Sequence, residues 1–197
     1  LATPDTSVVT VEDPVERNIA GITQVQMNAK SGLSFASALR SILRQDPDTI
    51  MIGEMRDSET ATIAARAAIT GHFVLSTIHT NDAISTVSRL VDMGVEPFMI
   101  SSALKTVIAQ RLVRKNCEYC RTEHINTDLE RELINMPDTL SYQGEGCEKC
   151  NFTGYKGRTA VFEILTIDST LQKMISSQAP IDAIQEYIDS KKDIRTM

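Results

Sequence analysis

The sequence predicts an α/β fold: a parallel sheet with helices between its strands, then a small cysteine-bearing subdomain and closing helices. Three observations carry this. Short β-branched or apolar runs alternate with segments of helical periodicity from residue 6 to residue 108. An acidic or imidazole-bearing motif directly follows each of three runs. All four cysteines lie between 117 and 150, in two C-x-x-C pairs.

Taken in order, residues 6–11 (Thr-Ser-Val-Val-Thr-Val) are β-branched and read as a strand. Ser34 to Arg44 carries Phe35, Leu39, Ile42 and Leu43 at helical spacing, and Asp46-Pro47-Asp48 turns the chain. Thr49 to Gly53 is a continuous apolar run, as expected of a strand covered on both faces of a parallel sheet. Asp57 or Ser58 can cap the Ala-rich helix that follows, and Gly71 ends it. His72 to Ile78 is the next strand. Asn81 or Asp82 caps a helix with Ala83, Val87, Leu90 and Val91 in its stripe, and Gly94 stops it. Pro97 opens a helix expected to run through Val107 and Ile108. From about Arg114 the cysteine module takes over, with a short amphipathic helix around Leu129, Leu133 and Met136. Arg158 to Leu165 reads as a strand, and helices at roughly 169–177 and 180–190 finish the chain. The expected organisation is 1–113, the sheet core; 114–157, the cysteine subdomain; and 158–197, a strand and helices.

Composition narrows the function. With 42% apolar and 23% charged residues the 197-residue chain is an ordinary globular one. A net charge of −6 argues against a sequence-independent nucleic-acid binder, which needs a surplus of Lys and Arg facing phosphates. No apolar stretch approaches the ~20 residues that span a bilayer.

Cys117-x2-Cys120 and Cys147-x2-Cys150 stand 26 residues apart (121–146). Two such knuckles suit a tetrahedral four-thiolate Zn²⁺ site, structural because four thiolates leave no open position. Disulfides would require an oxidising compartment and a scaffold short of core. Arg114, Lys115, Arg121, Lys149, Lys156 and Arg158 lie nearby in sequence. They would offset the charge of such a site, or form a docking face for anionic lipid or an acidic partner.

The polar motifs fall at strand C-terminal ends, where open parallel sheets bind ligands. Glu12-Asp13-Pro14-x-Glu16 offers three carboxylates within five residues, a density suited to a metal ion or a phosphate-facing acid. Glu54 sits at the mouth of its strand, placed to bind Mg²⁺ or orient a water. His79 follows the third strand, with Thr80 and Asn81 able to fix its tautomer. His124 is a minor metal-ligand candidate beside Cys120.

Thr10-x-Glu12-Asp13-Pro14-x-Glu16, Leu43-Arg44-Gln45-Asp46-Pro47-Asp48, Gly53-Glu54-Met55-Arg56-Asp57 and Ser76-Thr77-x-His79-Thr80-Asn81 occur in that order. Together with Leu90-x-Asp92-Met93-Gly94-x-Glu96-Pro97-Phe98, Ala109-Gln110-Arg111-Leu112-Val113-Arg114, the paired C-x-x-C module and Gly154-Tyr155-x-Gly157-Arg158-Thr159, they resemble the ATPases of type II secretion and type IV pilus assembly. In that family the first motif is the aspartate box, the third the Walker B segment and the fourth the histidine box.

The resemblance implies a RecA-like ATPase core working as a homo-hexamer with ATP and Mg²⁺. It also implies a cytoplasmic location, peripheral to the inner membrane of a Gram-negative-type bacterium, and partnership with an inner-membrane platform protein, with no nucleic acid. Carried over by motif, Glu54 would act on Mg²⁺ or the lytic water, and Glu12, near the γ-phosphate and metal, is a candidate for polarising the water, either glutamate being open as the general base. Asp13 would lie near metal and γ-phosphate, His79 would sense or contact the γ-phosphate, and Arg44 and Arg56 would stabilise phosphate charge, cross a subunit boundary or form structural salt bridges. The tetracysteine module points to the assembly or secretion branch, because retraction ATPases generally lack it.

One expected part is missing: no G-x-x-x-x-G-K-[ST] occurs in the 197 residues, which begin at Leu1. The expectation is therefore a C-terminal portion of such an ATPase, following its phosphate-binding loop and inactive by itself. Two readings compete with it. One is a zinc-bearing docking module without catalysis. The other is a RecA-like nucleic-acid motor, disfavoured by the acidic charge and the absence of interleaved aromatic and basic residues.

Overall fold

In the computed structural model, residues 2–28, 30, 32–134 and 140–191 are described. The chain divides into two compact units, one formed by 1–109 with 163–197 and the other by 110–162.

The first unit is built on a parallel sheet of β1 (Val8–Glu12), β2 (Thr23–Gln26), β3 (Thr49–Ile52) and β4 (Phe73–Ser76), in the order β2-β1-β3-β4. Every pairing in it is parallel. The side chains of Val9, Val11, Ile50 and Ile52 pack with residues of α1 (Phe35–Ile42) and α2 (Ser58–Ile69). Val11, Ile50, Ile52 and Leu39 are almost fully buried. Cutting any of them to Ala would cost about 2–5 kcal/mol, so the strands beneath the polar motifs are firmly held.

Local signals account for the helix ends. Ser34 and Ser37 form a reciprocal capping box on α1. Asp57 caps α2 through the Thr60 N–H, and Asp82 caps α3 (Ala83–Asp92) through Ser85. The small residues of α2 serve two cores: Ala64 and Ala67 join the sheet cluster, while Ala61 joins a helical one. That helical cluster also gathers Ile84, Val87 and Leu90 of α3 and Met99 and Ile100 of α4 (Pro97–Ala103).

The helix expected from Pro97 through Ile108 stops at Ala103. The β-branched Thr106, Val107 and Ile108 instead open a strand, β5 (Thr106–Asn116). β2 and the antiparallel hairpin of β6 (Arg121–His124) and β7 (Ser141–Gly144) were not expected, being short and largely polar. α5 (Asp128–Ile134) lies between them, and the Met136 end of its expected stripe is outside the described residues. β8 (Tyr155–Thr166) pairs with β5, and each of these strands belongs partly to both units. α6 (Ser169–Ser176) and α7 (Ile181–Ser190) close the first unit, burying Leu171, Ile175, Ile184 and Ile188 in the helical cluster. Among the described residues no helix is long and apolar enough to cross a membrane.

Candidate hydrolytic edge and metal centre

Parallel strands bring the C-terminal ends of β1, β3 and β4 to one edge, and the motifs gather there. Register pairs Val11 with Ile52, so Glu12, the last residue of β1, and Gly53, just past β3, come side by side. The Gly53 N–H donates to the Val11 carbonyl at 2.7 Å. A Cβ on Gly53 would lie 3.1 Å from that same oxygen and 3.4 Å from the Glu12 Cα. Glycine therefore lets the two strands close up immediately before their carboxylates. Hydroxyls from the end of β4 pin the same mouth, Ser76 Oγ donating to the Ile52 carbonyl at 3.0 Å and Thr77 Oγ1 to that of Gly53 at 2.5 Å.

Glu54 is buried, and its Oε2 lies 2.5 Å from Arg56 Nε and 3.8 Å from His79 Nε2. His79 is 90% exposed, so it projects from the edge and does not line a pocket wall. The Glu54 carboxylate beside Arg56 raises the arginine pKa, with Asp13 contributing through its charge. Asp13 itself is exposed. Thr80, considered as a partner for His79, instead shares a hydrogen bond with Thr86 at 3.0 Å.

Glu12 is buried as well, yet its pKa is held below the ordinary carboxylate value. The Thr10 hydroxyl is the main cause and the Gln24 amide the second, with burial opposing them and a backbone hydrogen bond at Glu16 adding to them. Thr10 opens the acidic motif in the sequence without an assigned role, and Gln24 lies outside every motif.

Arg44 is the residue that the fold does not bring to this edge. It sits in the 3-10 turn at 43–45 before β3, at the opposite end of the strand from Glu54. Four strand residues at about 3.3 Å each put that end on the order of 10 Å away.

In the second unit the four thiols converge. Cys117 Sγ lies 3.9 Å from Cys147 Sγ, and Cys150 Sγ lies 3.8 Å from both Cys120 Sγ and Cys147 Sγ. All four sulfurs fall within 4.8 Å of one another, and none forms a disulfide. A tetrahedral ion with metal–sulfur bonds of about 2.3 Å needs sulfur–sulfur edges of about 3.8 Å, so the set fits such an ion. Burial pushes the Cys120 thiol up to about 12. At Cys150 burial acts the same way, but hydrogen bonds from the Cys147 and Gly154 backbones and from the Cys147 and Cys120 side chains together outweigh it and bring the thiol down to about 6.

Close backbone packing shapes the knuckles. The Cys117 N–H donates to the Gly154 carbonyl at 2.9 Å, and a Cβ on Gly144 would fall 1.9 Å from that oxygen. His124 stays out of the cluster, its Nε2 lying 3.1 Å from a Glu130 carboxylate oxygen. Of the nearby cations, Arg114 stacks on the Tyr155 ring, Arg121 on Tyr142 and Lys156 on Tyr119, while Lys115 faces Glu118. Basic and aromatic side chains are thus interleaved in this unit, through contacts between residues too far apart in sequence to be paired by inspection.

The family model described as "Type II/IV secretion system protein" matches residues 1–197. The chain belongs to this family. It is 50% identical, over its full length, to the type IV pilus assembly ATPase PilB of Thermus thermophilus, of which it spans 23%. It is 47% identical to the type II secretion system ATPase E of Vibrio cholerae, with 95% of the chain and 38% of that protein covered. The chain therefore spans well under half the length of these relatives. Among solved structures it resembles the pilus retraction motor PilT with bound ADP at 28% identity and TM-score 0.67, covering 94% of this chain and 46% of that one. The Legionella pneumophila ATPase DotB matches at 25% identity and TM-score 0.60, covering 95% and 44%. The family's α/β architecture is therefore present here as a partial RecA-like parallel-sheet core and a tetracysteine subdomain.

Proposed function

We propose that these 197 residues supply the hydrolytic half of an ATPase that powers pilus or pseudopilus assembly at the inner membrane, in type II secretion or type IV pilus biogenesis. One observation carries the reading: Glu12, Glu54, Arg56 and His79 share the C-terminal edge of a parallel sheet in a chain of the secretion family. Glu54 receives Mg²⁺ or orients the lytic water, and Glu12, held ionised by its donors, polarises that water. His79 and Asp13 meet the γ-phosphate and its metal. Arg56 steadies Glu54 and neutralises charge beside it. Arg44, at the other edge, acts in a neighbouring subunit's site or only structurally. Mg²⁺, when bound, supplies the positive charge that the phosphate oxygens require.

The β- and γ-phosphates need a phosphate-binding loop to grip them, and no G-x-x-x-x-G-K-[ST] motif occurs in these residues to supply it. The whole protein works as a homo-hexamer on the cytoplasmic face of the membrane and engages a platform protein there. The four cysteines hold structural Zn²⁺, which organises the second unit.

The test is Glu12→Gln and Glu54→Gln in the full-length protein. Turnover should fall at least about 100-fold while nucleotide affinity stays within about threefold. Full turnover in both variants would sink the assignment. The 197-residue chain alone should show no hydrolysis above background.

A further inference from the structure

β1 and β2 are registered so that Thr10 pairs with Gln24 and Glu12 with Gln26. Registered residues, and residues two apart on one strand, share a face, so Thr10, Glu12 and Gln24 lie on the same side of the sheet. Gln24 Nε2 donates to Glu12 Oε1 at 2.9 Å and to the Arg17 carbonyl at 3.0 Å. Its Oε1 accepts the Ile19 N–H at 2.7 Å. Thr10 Oγ1 donates to the same Glu12 oxygen at 2.6 Å. Both amide protons and one acceptor site of Gln24 are thus committed, and the side chain cannot turn without losing three hydrogen bonds. It joins the carboxylate at the end of β1 to the loop through residues 17–19.

We propose that Gln24 is a positioning residue for hydrolysis, fixing the Glu12 carboxylate at the sheet edge together with Thr10. This rests on the reading of Glu12 as the group that polarises the attacking water. A hydroxyl and an amide that both donate to Glu12 favour its ionised form, the form that can take a proton. The charged or titratable groups that follow the same strand ends are Asp13, Glu16 and Arg17 after β1, Lys30 after β2, Glu54, Arg56 and Asp57 after β3, and His79 and Asp82 after β4. Arg56 is committed to Glu54. The donors to Glu12 are therefore the Thr10 hydroxyl, the Gln24 amide and the Glu16 backbone.

The experiment follows the Glu12 carboxyl by carbon NMR in the 197-residue chain, with Glu12→Gln to assign the resonance. Gln24→Leu should move its titration midpoint up by about half a pH unit or more, the equivalent of one lost hydrogen bond. Gln24→Glu keeps the size and shape of the side chain if Leu impairs folding, and should move the midpoint further. In the full-length ATPase the acid limb of kcat should rise by a similar amount, with KM within about twofold. A midpoint unmoved in both variants overturns the role of Gln24. A midpoint that moves while the acid limb stays put leaves Gln24 holding Glu12 but overturns Glu12 as the water-polarising group.

Discussion

Arg56 Nε lies 2.5 Å from Glu54 Oε2, although the arginine side chain is 68% exposed and the carboxylate nearly covered. A pair so open to solvent contributes little to folding. Arg56→Gln should therefore leave the urea midpoint almost unchanged. Turnover of the full-length protein should nonetheless fall on the order of tenfold to hundredfold, because the charge beside Glu54 is lost. A stability loss with normal turnover would make Arg56 purely structural.

The four thiols lie close enough to hold one metal ion, and the second unit should then depend on it. Metal analysis of the purified chain should give about one Zn²⁺ per chain, and Cys117→Ser should abolish it. Stripping with a chelator should collapse the amide resonances of residues 110–162 while leaving those of β1 and β3 dispersed. Substoichiometric metal with an unchanged spectrum after chelation would refute the site.

Gly144 and Gly154 meet backbone to backbone, and Gly154 has φ +75° with a Cβ position 2.4 Å from the Gly144 carbonyl oxygen. Gly154→Ala must force the knuckle open and should weaken metal retention along with the local fold, by more than about 3 kcal/mol. Gly157 also has positive φ, at +79°, but nothing lies within 4 Å of its Cβ position. Gly157→Ala should cost only about 1–2 kcal/mol, the backbone penalty alone. Equal losses in the two variants would show that the close contact does not matter.

Asp168 caps α6 and also receives Tyr187 Oη at 2.9 Å and Lys191 Nζ. The Lys191 hydrogen bond, then the Leu171 N–H and Tyr187, bring its carboxyl down to about 2, against burial. A folded pKa below the unfolded one gives stability that is present above the unfolded value and lost as pH falls through the folded value. The window here runs from about 4 down to about 2. Glu130 is also held at about 2, by the Thr127 backbone N–H first and His124 next, and it adds to the same window. Asp168→Asn should thus flatten, without abolishing, the loss of urea stability between those pH values. An unchanged slope would rule out the linkage.

Which parts were legible follows from what each element depends on. Apolar runs ending in Glu12, Glu54 and His79 needed only local pattern, and the parallel sheet places all three at one edge. β2 and its Gln24 are not legible because Thr23-Gln24-Val25-Gln26 is short and largely polar. Arg44 shows the converse. A motif close in sequence to Glu54 lies at the other end of the strand, because sequence neighbours across a strand stand at opposite edges. Val107 and Ile108 fit the helical spacing that Pro97 opens, yet their β-branching suits the strand they enter, and the helix ends at Ala103.

By itself, the sequence determined the family, the α/β class, the order of acidic and imidazole motifs and the presence of two cysteine knuckles. These depend on local periodicity and fixed spacings along the chain. Tertiary structure decided which polar groups attend Glu12, that Arg56 and not Arg44 meets Glu54, and that four sulfurs stand at the separations a tetrahedral ion requires. Those facts depend on strand register and on glycine-permitted close approaches between segments distant in sequence, which no local window contains.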